Sequence, residues 1–319
     1  MQHSNSTLAP VGSGSRMTLA NLTKGKIAKP LRVIVHGVEG AGKSTFGANA
    51  PDPIFLAAED GTSHLDVTRF PTPLTWMEAI EATRELLRAE HSFKTLVIDS
   101  LDWLEPLCWA HVAQIARKPF ADMEFGKGFV MAIERWRDFL LSLDLLVRNR
   151  KMNIVMIAHT HIKRVDDPQT GPFDRYQMKL HDKSAAVLRE WADAVLFARH
   201  EVKTVERNGK TRGVSSGHRV LHTTWTAAYD AKNRFDLPEV LPLDWSEFEA
   251  ACKAHVPADP GKLRAEIEGL LAQLGEEERA KGEKALREWA GDNAARLAQL
   301  LDRVRGKVAM SQQGEGGES

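Results

Sequence analysis

With 319 residues the chain can hold one large domain and a small one, and its 43 Lys and Arg balance 43 Asp and Glu, so only local charge clusters can argue for nucleic acid. Two cysteines, Cys108 and Cys252, lie far apart and outside any C-x-x-C pattern, which excludes a disulfide scaffold and fits a reducing compartment. The best apolar run, Phe139 to Val147, is too short to span a bilayer and contains Asp144, and no apolar signal core opens the chain, so a soluble, cytoplasmic protein is expected.

Residues 1–27, rich in Ser, Thr, Gly and Asn, read as a flexible arm. From residue 28 short apolar runs alternate with longer helical patterns, the signature of an α/β fold with a mostly parallel sheet. The predicted strands are Leu31–Val35, Ile54–Ala57, Thr95–Ile98, Ile154–Ala158 and Ala194–Ala198. Trp76–Ala89 and Phe129–Arg148 carry apolar residues at helical spacing. After residue 200 the texture changes. Val202–Glu206 and Thr211–Val214 flank Asn208-Gly209 as a tight hairpin, and Arg219–Thr226 is a further β-like run, so antiparallel strands are expected at one sheet edge. The Pro-containing stretch from Val256 to Gly261 marks a boundary. It separates a core at 28–255 from a small helical module at 256–310 with helices Lys262–Leu274, Glu277–Ala290 and Asn293–Val308; residues 311–319 read as a disordered tail.

The first predicted strand runs into G-x-x-x-x-G-K-S, a phosphate-binding loop. Gly37, Val38, Glu39, Gly40, Ala41, Gly42, Lys43, Ser44 and Thr45 form it. The glycines let successive N–H groups point into one concave anion site, and the following helix adds its positive N-terminal end. Lys43 supplies a charge for the β- and γ-phosphates and Ser44 a hydroxyl for Mg²⁺. ATP and Mg²⁺ are the expected cofactors.

Hydrolysis needs more than a loop. Leu96-Val97-Ile98-Asp99 is an apolar strand ending in an acid, and Asp99 is expected to organise Mg²⁺ with Ser44. Capping of the next helix is the alternative role for Asp99. Phe55-Leu56-Ala57-Ala58-Glu59 ends another strand in a carboxylate placed to polarise the attacking water, with Asp60 the second choice. Ile154 to His159 is a fourth buried strand ending in a polar group, and His159 can donate to a γ-phosphate oxygen as a sensor. His159-x-His161 also suggests a metal pair, but no Cys or carboxylate completes a ligand set at usual spacing.

The order strand–P-loop, strand–Glu, strand–Asp, strand–sensor resembles the RecA/RadA recombinase core, rather than the AAA+ or small-GTPase plan, over roughly residues 28 to 240. That resemblance implies a RecA-like P-loop NTPase core in which Glu59 activates water. The sensor of that family is usually Gln; here the position holds His159. Thr160 to Pro168, Asp174-Arg175-Tyr176-Gln177-Met178-Lys179-Leu180, Leu188 to Phe197 and Ala231-Lys232-Asn233-Arg234-Phe235-Asp236-Leu237-Pro238 are similar to the phage-encoded group of short RecA-like ATPases, the Sak-type single-strand annealing proteins. The resemblance implies an ATP-hydrolysing, single-stranded-DNA-binding recombination factor, placed in the host cytoplasm if phage-encoded. It also implies a homo-oligomer, ring or filament, with a single-strand-binding protein as a further partner.

In such a core the loop after the sensor strand lines the DNA channel. Lys163, Arg164, Arg175 and Lys179 can neutralise phosphates there and Tyr176 can stack on bases, although Asp166, Asp167, Asp174 and Asp182 offset the charge. A loop from Lys118 to Lys127 with Phe120 and Phe125 is a second candidate contact. Lys232-x-Arg234 matches the RecA-type pattern in which cations reach a neighbour's γ-phosphate, the arginine-finger logic. Competing functions on the same core are a replication helicase or loader, a packaging motor, and a nucleotide-gated binding module with negligible turnover.

Overall fold

Apolar runs with no polar alternation predict strands buried on both faces, and such a sheet organises the chain. The computed structural model describes residues 18–22, 26–207, 210–255, 260–291 and 293–314. Most of the expected arm, the Asn208-Gly209 turn, residues 256–259 of the boundary stretch and the last residues of the tail lie outside them.

The first half contains β1 (Arg32–Gly37), α1 (Lys43–Ala48), β2 (Pro53–Ala57), β3 (Thr68–Arg69), α2 (Trp76–Arg88), β4 (Thr95–Asp99), α3 (Leu101–Ala116) and α4 (Lys127–Leu145). There follow β5 (Asn153–Asp167), β6 (Gly171–Met178), α5 (Asp182–Trp191), β7 (Ala194–Arg207), β8 (Lys210–His222), β9 (Lys232–Asn233) and β10 (Val240–Pro242). The C-terminal part holds α6 (Trp245–His255), α7 (Pro260–Leu271), α8 (Glu276–Ala285) and α9 (Ala294–Gly314).

The main path across the sheet is β10-β8-β7-β1-β5-β4-β2-β3. Strands β7, β1, β5, β4, β2 and β3 run parallel, while β8, β9 and β10 pair antiparallel at one side. One strand, β5, separates the P-loop strand β1 from the Asp99 strand β4. This is a RecA-like α/β core, as the motif order implied.

Alternation along each strand sorts the core into two layers. Ile34, Leu56, Ile98, Ile154 and Met156 pack under α2 to α5 around Trp136 and Phe139. Val33, Val35, Phe55, Val97 and Ile157 face Phe46 of α1 and Trp245 and Phe248 of α6. A third apolar cluster, built from Leu263, Ile267, Leu286, Leu297, Leu300 and Val304, joins α7 to α9.

Several elements differ from expectation for local reasons. Helix α3 was not predicted; it contains Pro106 and buries Leu101, Leu104, Cys108 and Val112 without a clean polar stripe. The sensor strand does not stop at Ala158. It continues to Asp167 and pairs antiparallel with β6 from Thr160↔Met178 to Asp167↔Gly171, so the expected loop is a β-hairpin. The two β-like runs after residue 210 form one strand, β8, which ends at His222. Helix α9 continues to Gly314, past the expected start of the tail.

Candidate active site

Close approach builds the phosphate loop. A Cβ on Gly37 would lie 2.0 Å from the Ala198 carbonyl oxygen of β7, so only glycine lets β1 end there. Gly42, at the N-cap of α1, has φ +98, a left-handed conformation that strains any side chain. Helix α1 is only six residues long, so loop N–H groups contribute more to an anion site than a long helix dipole would.

Lys43 is buried, and its Nζ donates to the carbonyls of Gly37 and Val38, both at 3.0 Å. Burial pushes its ammonium pKa down, with Asp99 the main opposing charge. Ser44 Oγ donates to Asp99 Oδ2 at 2.6 Å. Desolvation raises the Asp99 carboxyl, and Ser44 and Lys43 hold it back. A hydroxyl and a carboxylate side by side at a strand end are the hard oxygen donors that suit Mg²⁺.

These groups face a cavity of about 360 Å³ lined by Gly40, Gly42, Lys43, Ser44, Thr45, Glu59, Gly61, His64, Asp99, His159 and Arg219. The register explains the convergence. Ala57↔Asp99 on β2 and β4, Asp99↔Ile157 on β4 and β5, and Gly37↔His159 on β1 and β5 bring the ends of β1, β2 and β4 beside the middle of β5. Burial raises the Glu59 carboxyl; His159 opposes that rise, and Asp99 and Asp102 add to it.

Asp102, in the first turn of α3, was not singled out from the sequence. Its Oδ1 accepts the His159 backbone N–H at 2.9 Å and its Oδ2 bonds His159 Nδ1, also at 2.9 Å. The imidazole pKa is raised, chiefly by that Asp102 bond. With Nδ1 engaged, Nε2 is the ring nitrogen left for the cavity. Behind the loop, buried His36 has its pKa lowered to about 4 by desolvation. The neutral ring bonds the Asp230 carbonyl through Nε2 at 2.7 Å and Thr160 Oγ1 through Nδ1 at 3.0 Å, which ties β1 to β5 beside His159. The Asp99–Ser100 peptide is cis. His161 lines a different cavity, with Lys163, His181 and Asp182.

Lys232 and Arg234 are not brought to this cavity. They lie at the opposite end of β7, where Ala194 pairs with Asn233. Lys232 Nζ donates to the Arg189, Glu190 and Ala192 carbonyls at the end of α5. Arg234 Nη1 lies 3.3 Å from Asp193 Oδ1, which also takes Lys29 and Arg32.

The residues expected at DNA are spread over the β5–β6 hairpin and its base. Lys163 pairs with Asp182, and Arg164 sits opposite Asp174. Arg175 covers Phe173 and Trp225, its carbon Cζ 5.2 and 4.5 Å from the ring centroids. The Lys179 side chain is exposed, while its N–H donates to the His159 carbonyl. Tyr176 stacks on Phe197 with centroids 5.2 Å apart, in a cluster with Tyr229 and His222, so its ring packs against the core. Phe125, at the α3–α4 connection, is 94% exposed.

Residues 29–235, well over half of the chain, match the protein family described as AAA domain, and the chain belongs to that family. The motif order set the chain apart from the AAA+ plan; the matched family carries the AAA name, while the strand order is RecA-like. No curated protein matches the sequence. Among solved structures, the chain is similar to the RadB recombinase, at 15% identity over 61% of this chain and 80% of that one, with a TM-score of 0.36. It is also similar to the flagellar accessory protein FlaH from Methanocaldococcus jannaschii, at 11% identity over 66% and 84%, with a TM-score of 0.33. Among the described residues, no helix is long and apolar enough to cross a membrane.

Proposed function

We propose that this AAA-domain protein is a Mg²⁺-dependent ATPase that works on single-stranded DNA, in recombination by strand annealing. The observation that carries the ATPase reading is the meeting of Lys43, Ser44, Asp99, Glu59 and His159 around one cavity. Backbone N–H groups and Lys43 bind the phosphates. Ser44 and Asp99 hold Mg²⁺, which when bound neutralises developing phosphate charge. Glu59 orients and polarises the attacking water, and its desolvated carboxylate is a stronger base than an exposed one. His159 Nε2 donates to a γ-phosphate oxygen and loses that partner after hydrolysis.

The DNA reading is supported by continuity. His159 and the hairpin cations Lys163 and Arg164 belong to the same strand, β5, so a shift at the sensor reaches the hairpin without crossing a flexible joint. Between Thr160 and Met178 the hairpin has three cations and three acids, so binding rests on their placement rather than on net charge. In this reading the chain assembles, and Arg234, half-exposed, reaches a neighbour's nucleotide after release from Asp193.

The test is ATP turnover of the purified protein with and without single-stranded DNA, beside Lys43→Ala and Glu59→Gln. Stimulation by DNA, loss of nucleotide binding in Lys43→Ala, and retained binding with lost turnover in Glu59→Gln are the expected results. Parental turnover in Glu59→Gln would remove it from the water-activating role.

A further inference from the structure

Lys43 and Arg219 are the lysine and arginine that line the nucleotide cavity, and of these the proposed mechanism uses only Lys43. The second, Arg219, comes from β8, in the antiparallel part of the sheet. Its Nη1 lies 2.8 Å, and its Cδ 3.5 Å, from the point a Cβ on Gly42 would occupy. The guanidinium therefore lies against the backbone of the phosphate loop. Among the described residues no carboxylate pairs with it, although Asp99 and Glu59 line the same cavity.

Its placement is built into the strand. Arg219 pairs with His200, and the β7–β8 register shifts just beyond, between His200 and Val202. Such irregularities bend a strand and re-aim side chains next to active sites. Gly217, two residues earlier, has φ +80. From the other side the Leu243 N–H donates to the Arg219 carbonyl at 3.0 Å, and Leu243 Cδ2 lies 3.2 Å from the same point above Gly42. Lys43 Nζ is directed to Gly37 and Val38. The two cations thus bracket the loop, one at its first residues and one at its last glycine.

We propose that Arg219 is a phosphate-contacting residue of this site, holding the part of the phosphate chain that ATP and ADP share. The proposal rests on the nucleotide reading above. Gly42 immediately precedes Lys43 and Ser44, the end of the loop that meets the diphosphate, whereas the Lys43 ammonium occupies the other end. A planar guanidinium with fixed donors suits phosphate oxygens, and an exposed one with no acidic partner has no ion pair to give up on binding. A purely structural Arg219, covering the loop, would instead affect stability and leave nucleotide affinity alone.

The experiment uses the full chain with Mg²⁺ and compares ADP and ATP affinity by titration calorimetry for the parent, Arg219→Ala, Arg219→Lys and Lys43→Ala. Arg219→Ala is expected to raise Kd for both nucleotides by about tenfold or more, the scale of one charge-assisted contact. Arg219→Lys should fall between, and the nucleotide-free melting temperature should stay at the parental value. Parental affinity for both nucleotides in Arg219→Ala, with binding lost in Lys43→Ala, would overturn the proposal alone. A loss confined to ATP would overturn it too, by moving the contact to the γ-phosphate. Parental affinities in Lys43→Ala would bring down the nucleotide reading itself, and this proposal with it.

Discussion

Asp102→Asn tests the sensor through a residue that touches neither nucleotide nor metal ligand in the proposed chemistry. The Asp102 side chain is 5% exposed, and its two oxygens take two partners on one residue, the His159 backbone N–H and Nδ1. An amide keeps one oxygen and sets an NH₂ group where the other was. The charge-assisted bond from a protonated Nδ1 is therefore lost, since an NH₂ group can face that nitrogen only when it is unprotonated, and a bond to a charged group contributes about 1.5–3 kcal/mol. If ring orientation matters only while the γ-phosphate is being transferred, kcat falls by about tenfold to a hundredfold at ~1.36 kcal/mol per tenfold, with KM little changed.

A second readout is pH. The Asp102 bond raises the His159 pKa, Glu59 supports the rise, and burial and Lys43 oppose it. The folded site thus favours the imidazolium. What depends on it is present below the ordinary histidine pKa and is lost as pH rises through the raised value. In Asp102→Asn that loss should begin at lower pH. Steady-state ATPase measured across the neutral and alkaline range, with NMR titration of the His159 ring, checks both effects. A variant with parental kcat and an unmoved alkaline limb would refute the argument.

Asp193, 2% exposed in its side chain, takes Lys29, Arg32 and Arg234; the first and last are about half-exposed and Arg32 keeps Asp144, so Asp193→Asn should cost about 1.5–3 kcal/mol in urea unfolding, the scale of a lost charge-assisted bond. Burial works against its ionisation, but the Arg32 and Lys29 bonds prevail and hold its pKa low; its stabilisation is present above the unfolded carboxylate pKa and lost as pH falls through the folded value, so the variant should be less acid-sensitive than the parent. Tyr176→Ala should lower stability by about 2 kcal/mol, by removing a half-buried ring. Lys163→Ala with Arg164→Ala should instead weaken single-strand binding and flatten its salt dependence; filter binding across a salt series separates the two. Arg234→Ala mixed with Glu59→Gln should regain turnover if Arg234 completes a neighbour's site, since mixed interfaces pair an intact Glu59 with an intact Arg234; inactivity at every mixing ratio, despite co-assembly, would confine Arg234 to its ion cluster with Asp193.

What was legible in the sequence follows from which interactions are local. Val33 to Ser44 states its own geometry, because a phosphate loop needs glycines at fixed offsets along one short segment. The ends of the apolar runs were legible too: parallel strands entering one sheet come level where those runs stop, so Asp99, Glu59 and His159 are marked for the crevice, although β5 itself runs on to Asp167. The hairpin was less so. A charged stretch with Asp166, Asp167 and Pro168 looks like a loop, and only the pairing of β5 with β6 reveals alternating faces. The same pairing explains Tyr176, which reads as a stacking residue among cations until Phe197 is placed beneath it.

The residues that escaped are those whose role is set by a partner distant in sequence. Asp102 looks like any acid in the first turn of a helix, where the macrodipole alone would favour it. Its real partner, His159, is 57 residues away, and it becomes visible only once β4 and β5 are known to be neighbours. Arg219 is still less marked, an arginine in a β-like run with no motif around it, aimed by a register shift that no periodicity records. In the proposed chemistry the loop and the acids at the ends of the apolar runs have tasks that constrain residue type at a position. Orienting groups require only that a carboxylate or a guanidinium arrive from somewhere, and many positions on neighbouring elements can supply one. The proposed phosphate site is therefore readable at its centre and opaque at its rim, and in this chain the rim is where Asp102 and Arg219 stand.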